Sequence, residues 1–182
     1  TGGALADSKT VSVTVNSVND PPVGADFTVA TDEDVPYTFA VSDFAFTDPN
    51  DAPANAFAGI VIGALPLSGT LALDGTAVTS GQFVSASDIS AGLLVFTPDQ
   101  DKNGTGYASF TFRVRDAGGG SDTDPIARTA TINVTAANDA PSVTLAQQTI
   151  TVTAGTAFAL DGFATFGPGG GADEANQTAQ SY

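Results

Sequence analysis

Two short stretches carry the residue types that bind hard cations: Asn19-Asp20-Pro21-Pro22 and Asn138-Asp139-Ala140-Pro141. In each, carboxylate and amide oxygens stand beside backbone carbonyls, the donor set that Ca²⁺ prefers. In each, proline holds the backbone extended and withholds a donor from any sheet ladder, so the stretch ends a strand and begins a joint. One such stretch would be an ordinary polar turn. The two asparagines lie 119 positions apart, each after an alternating β run, and this marks a repeat of domain size. The chain is therefore expected to hold the last strand of one repeat (1–18), one complete repeat (19–137) and the start of a following, truncated one (138–182).

Composition narrows the chemistry. The 182 residues carry 20 acids against five cations, a formal charge of −15, and every acid except Glu33 and Glu174 is Asp. An Asp bias suits loops and oxygen-ligand sites, although a surface adapted to salt gives the same net charge. Binding of nucleic acid through a basic face is excluded. Cysteine is absent, so disulfides play no part, and a bound metal is the available substitute for a cross-link. Without His or Cys the usual triads and thiol nucleophiles cannot be built, and no enzyme is expected. A carboxylate pair could in principle hydrolyse glycosides, but Asp99 and Asp101 share one loop rich in turn residues and no substrate cleft is suggested. No apolar run approaches the ~20 residues that span a bilayer, so no direct membrane insertion is expected.

The elements that must position these groups are strands. Thr, Val, Ala, Gly and Phe dominate, and alternating runs separated by turn signals predict an all-β Greek-key sandwich. Predicted strands cover Thr10 to Val15, Phe27 to Ala30, Tyr37 to Val41, Phe57 to Leu65, Gly69 to Leu73, Leu93 to Phe96, Tyr107 to Arg115 and Ala127 to Thr135. Val78 and Phe83-Val84 extend the meander. Asp74-Gly75 signals a hairpin. Ser87 to Gly92 predicts one helical turn, capped by Ser87 or Asp88 and stopped by Gly92. Phe44 and Phe46 are expected under their loop as core. Beyond Pro141 the pattern restarts with Val143 to Leu145, Ile150 to Val152, Phe158 to Leu160, Phe163 and Phe166. The stretch from Thr10 to Val15 is too short to fold alone; it must complete a sandwich from the preceding repeat or sit on a neighbour.

Arg113-Val114-Arg115-Asp116-Ala117-Gly118-Gly119, the alternating Thr129 to Val134 and the closing Asn138-Asp139-Ala140-Pro141 resemble the end of a cadherin repeat. From about Val18 to Pro141 the chain resembles the bacterial cadherin-like tandem repeats of large surface adhesins, and their chondroitin-sulfate-proteoglycan-type cousins. Asp32-Glu33-Asp34-Val35-Pro36, Phe96 to Gly104 and Tyr107-Ala108-Ser109-Phe110 are the typical phrases. The resemblance implies calcium between consecutive repeats, with Glu33, Asp99 and Asp101 facing Asn138-Asp139, and Asp48, Asp51 and Asp116 facing Asn19-Asp20. Asp74, Asp88, Asp122 and Asp124 read as turn-formers or solvated charges. In the third repeat the corresponding acids, Asp173 and Glu174, are displaced.

The resemblance implies a calcium-stiffened spacer of a large extracellular protein at the bacterial cell surface, serving adhesion or matrix. Its partners would be neighbouring repeats of the same chain. An alternative is a subunit of a filament or surface layer in which identical chains assemble by strand addition. Another is a carbohydrate-binding module, for which only Tyr37, Tyr107 and Tyr182 are available as sugar-stacking rings; the first two sit in alternating runs and read as core.

Overall fold

The structure is a computed structural model that describes residues 9–14, 18–146, 154–155, 164–167 and 169–171. Two sheets face each other. The first, in spatial order β2 (Phe27–Asp32), β11 (Arg128–Thr135), β10 (Gly104–Asp116), β5 (Phe57–Ile62) and β8 (Phe83–Ser85), has five strands. The second has four, in the order β3 (Tyr37–Thr38), β9 (Leu94–Thr97), β6 (Thr70–Leu73) and β7 (Thr76–Ala77). Two small pairs complete the architecture: β1 (Val23–Gly24) with β4 (Phe46–Thr47), and β12 (Ser142–Leu145) with β13 (Ala164–Gly167).

Alternation builds the inner faces. Along β10 the side chains of Ala108, Phe110, Phe112, Val114 and Asp116 are buried in turn, and along β11 those of Ala130, Ile132 and Val134. This follows from the two-residue period of a strand. Facing them are Leu71, Leu94 and Phe96 of the second sheet, with Phe39 and Phe44 between. Phe39 meets Phe110 edge-to-face at 5.5 Å, and Phe44 meets Phe112 at 5.1 Å. Each such contact adds roughly 0.5–1.5 kcal/mol beyond burial alone.

The pairing of β2 with β11 is parallel, whereas the other strand pairs are antiparallel. Thr135 lies opposite Asp32, so both strands run out at the same pole. The ladder continues one step further, where the Glu33 N–H donates to the Thr135 carbonyl at 2.9 Å. This register delivers the Glu33-Asp34 turn beside the linker that follows β11.

Several expectations are corrected. Of the strand expected from Thr10 to Val15, residues 10–14 form no strand, Val15 lies outside the described residues, and Val11 and Val13 are 82% and 80% exposed. Alternation supplies an apolar face, but a strand also needs a neighbour to hydrogen-bond, and no described residue offers one. The second strand stops at Thr38 and gives way to a 3-10 turn at Val41–Asp43. There the Asp43 carboxylate accepts the Ala40 N–H at 2.9 Å and the Tyr37 hydroxyl at 3.2 Å, offering the backbone a local alternative to a ladder. The strand from Phe57 ends at Ile62, short of Leu65. Helix α1 (Ala86–Ser90) starts earlier than predicted, its N-cap being Ser85, whose Oγ accepts the Asp88 N–H at 3.1 Å. Gly92, with φ +73°, closes the turn that follows, as expected. Asp74 and Gly75, both at positive φ, make the β6–β7 hairpin, and Phe44 is buried while Phe46 packs half-buried beside Phe57. The strands expected at Ile150 to Val152 and Phe158 to Leu160, with Phe163, Asp173, Glu174 and Tyr182, lie outside the described residues.

Candidate functional site

The acids predicted as ligands lie about the two linkers, at opposite poles of the sandwich, and the poles are built differently. Both linkers adopt the same local turn: Asn19 Nδ2 donates to the Asp20 carbonyl at 3.3 Å, and Asn138 Nδ2 to the Asp139 carbonyl at 3.2 Å.

At the pole where β2 and β11 end, Glu33 is only 3% exposed. Its Oε1 accepts the Ala137 N–H at 2.7 Å and its Oε2 accepts Asn103 Nδ2 at 2.9 Å. Both oxygens are thus used to hold the linker and the β9–β10 loop together. The convergent carboxylates belong to Asp34, Asp101 and Asp139, which offer oxygens all within 4.8 Å of one another. Asp34 and Asp101 sit at φ +60° and +55°, on turns that lie against each other, and the Asp101 N–H donates to Asp34 Oδ1 at 3.0 Å. Asp139 enters from the linker. Gly170 closes over the group: a Cβ at that position would run into Asp101 Oδ1 and Asp139 Oδ2. Main chain can approach the carboxylates only because the residue is glycine.

These donors fit a hard divalent cation. Three carboxylates supply up to six oxygens, close to the six to eight that Ca²⁺ takes. Without a cation, carboxylates this close repel one another. Asp99 is held elsewhere: its Oδ2 accepts the Gly69 N–H at 3.0 Å and the Tyr107 hydroxyl at 2.9 Å. Those two hydrogen bonds hold its carboxyl below the usual range. Asp99 thus ties β6 to the β9–β10 loop.

At the opposite pole the predicted acids do not converge within the same span; among the described residues only the Asp34 group does. An amide stands in the middle instead. Asn55 Nδ2 donates to Asn19 Oδ1 at 2.6 Å and to Asp51 Oδ2 at 3.2 Å, while Asp51 Oδ2 also accepts the Asp20 N–H at 3.0 Å. Asp116, 2% exposed, caps its own loop by accepting the Gly118 N–H at 2.7 Å, and receives Asn19 Nδ2 at 3.4 Å. Asp48, 6% exposed, accepts the Asn55 N–H at 2.5 Å through Oδ2, and its Oδ1 has no hydrogen-bond partner among the described residues. Gly118 is glycine for a steric reason, since a Cβ there would displace the Asn19 amide.

Two further acids, read from sequence as turn-formers or solvated charges, hold buried or half-buried partners. Asp124 is 1% exposed and accepts Arg128 Nε at 2.9 Å, the Gly24 N–H at 2.8 Å and the Ile126 N–H at 2.9 Å. Burial alone would raise its carboxyl; these donors outweigh that and hold it low. Asp122 pairs with Arg115 through Nε at 2.8 Å. Burial again pushes upward, and Thr123 and Arg115 bring the carboxyl below its usual value. Tyr37 and Tyr107 are half-buried against the core with their hydroxyls committed to Asp43 and Asp99, so neither ring is presented as a sugar platform.

Sequence reasoning missed Asp34, Asn55 and Gly170. A signal existed for Asp34, which shares the acidic turn with Glu33. Asn55 is one asparagine in a polar loop, and nothing local distinguishes it.

Two facing sheets with a parallel pair at one edge, buried aromatics between them and polar joints at both poles define an all-β, Ig-like sandwich module. The chain belongs to the bacterial Ig domain family, which residues 19–135 match. Modules of this family occur in bacterial extracellular and surface proteins and are in general non-catalytic. The resemblance to cadherin-like repeats is thus met at the level of a sandwich module of bacterial surface proteins, and the family matched is the Ig one. No curated protein and no solved structure matches the chain significantly.

Proposed function

We propose that this module is a calcium-stiffened structural spacer in a large bacterial extracellular protein serving adhesion or matrix. The observation that carries the reading is the convergence of Asp34 and Asp101, from the body of the sandwich, on Asp139 of the linker. A cation held by all three joins the module to whatever follows the linker and removes the repulsion that otherwise opens the joint. Residues 19–137 are then one complete repeat and 138–182 the start of the next. The strand order, with neighbouring strands distant in sequence, supports the Greek-key reading of the repeat. The mechanism is mechanical: stiffness at the joint keeps a distal binding domain away from the cell.

The two poles then have unequal roles. Asp34, Asp101 and Asp139 hold the cation, Glu33 holds the linker in place for them, and the Asn55 amide links Asn19 and Asp51 at the other pole. Equilibrium dialysis of the chelator-stripped chain against radioactive calcium tests this. Saturable uptake of one ion per chain, weakened roughly tenfold or more in Asp101→Asn, is expected; no uptake at millimolar calcium overturns the reading.

A further inference from the structure

We propose that residues 9–15 are the last strand of a second Ig module, seated end-on against the Asn19 pole, and that they take in that module the slot that β11 takes in this one. This extends the tandem-repeat reading and does not depend on calcium. With the linker asparagines superposed, Val11, Val13 and Val15 fall on Ala130, Ile132 and Val134, and Lys9 falls on Arg128. Ala130 and Ile132 are fully buried and Val134 is 3% exposed, on a strand hydrogen-bonded to β10 on one side and β2 on the other. The same pattern at Val11 and Val13 faces solvent, at 82% and 80% exposure. The chain thus carries two copies of one strand pattern, one inserted between two neighbours and one whose Val11 and Val13 are exposed.

The first copy cannot reach the slot in its own module. In that slot residue 15 would lie where Val134 lies, opposite Gly104 at one end of β10. Asn19 is bonded to Asp116 and Ser121 at the other end of β10, a strand of 13 residues. That distance is about 40 Å, whereas four residues reach at most ~14 Å. The strand therefore belongs to another module, with its own equivalents of β2 and β10 and its distal pole on Asn19. Linker geometry agrees, because Asn19-Asp20 already has the turn that Asn138-Asp139 has below β11.

The test is amide hydrogen exchange on the chain lengthened at its N-terminus by a copy of residues 19–127 joined to Lys9, in calcium and again in chelator. Residues 10–15 are expected to exchange at least ~100-fold more slowly than in the original chain, approaching residues 129–134. Protection in either buffer supports the insertion, and its dependence on calcium reports on the cation reading alone. Val11→Asp with Val13→Asp in the lengthened chain should remove protection from the added module and leave the original one unchanged. Unchanged exchange at 10–15, or protection that survives the double substitution, overturns the proposal. So does protection of 10–15 in the original chain together with concentration-dependent association, which would assign the strand to pairing between copies.

Discussion

The Glu33 carboxylate accepts the N–H of Ala137, 104 positions further along the chain, at 2.7 Å in a buried setting. A side chain at the end of β2 thereby fixes the first residues of the linker after β11. Its second oxygen holds Asn103, so one carboxylate sets the distance between the linker and the loop that carries Asp101. Glu33 is thus a positioning residue for the proposed cation site, and Asp34, Asp101 and Asp139 are its ligands.

Glu33→Ala removes the acceptor for two donors and leaves them without that partner. A loss of about 2 kcal/mol is expected, since hydrogen bonds to a charged group are worth roughly 1.5–3 kcal/mol each and water recovers part of it. Urea unfolding should show a lower midpoint at unchanged slope. The loss should appear in chelator as well as in calcium, which separates a positioning role from a ligand.

Asp34→Asn and Asp101→Asn should behave in the opposite way. Each removes one carboxylate from the group, so calcium affinity should fall roughly tenfold or more. Stability in chelator should stay the same or rise, because repulsion is relieved. Asp99→Asn should leave calcium affinity unchanged, since its carboxylate is engaged by Gly69 and Tyr107. Calorimetric titration of the three variants checks the ranking.

Asp124→Ala should be the most damaging acid substitution of those considered. It leaves Arg128 and the Gly24 and Ile126 N–H groups without their shared acceptor in a buried place, and breaking a buried pair on one side costs about 3–5 kcal/mol. Asp122→Ala, whose partner Arg115 has a side chain 40% exposed, should cost no more than about 1 kcal/mol. Thermal denaturation of the two variants side by side measures the contrast.

Acid should destabilise the fold through these same groups. Hydrogen bonds and, for Asp122 and Asp124, an arginine partner hold the carboxyls of Asp99, Asp122 and Asp124 below their ordinary value in the folded state. A carboxyl lowered on folding contributes stability that is complete above its unfolded value and is lost as pH falls through the folded one. Stability in chelator should therefore be steady from neutrality to about pH 5 and decline below about pH 4. Asp124→Asn should flatten part of that decline in denaturant midpoints recorded across pH.

The sandwich was legible where alternation meets burial on both sides. Phe110, Phe112 and Val114, or Ile132 and Val134, can satisfy their pattern only as inward faces of central strands. Asp74-Gly75 was legible because positive φ at both residues selects its own turn. Pattern failed at Val41, where the Asp43 carboxylate offers the backbone a nearer partner than a strand, and at Thr10 to Thr14, where a strand sequence has no neighbour among the described residues. The poles were half legible. The repeated Asn-Asp pointed to the linkers, but which acid is a ligand depends on where turns at Asp34 and Asp101 place their carboxylates. Asp99, two residues from Asp101 in the same loop, is held by Tyr107 through a contact no spacing rule encodes.

Thermal melting in millimolar calcium, in millimolar magnesium at equal ionic strength and in excess chelator tests the calcium-stiffened joint most directly. Binding to the folded state alone stabilises by ~2.7 kcal/mol at a hundredfold excess over the dissociation constant. The original chain should melt at a higher midpoint in calcium than in either other buffer, and Asp139→Asn should show one midpoint in all three. A single midpoint for the original chain in all three buffers, or a calcium increment retained by Asp139→Asn, would contradict a cation held between the sandwich and its linker.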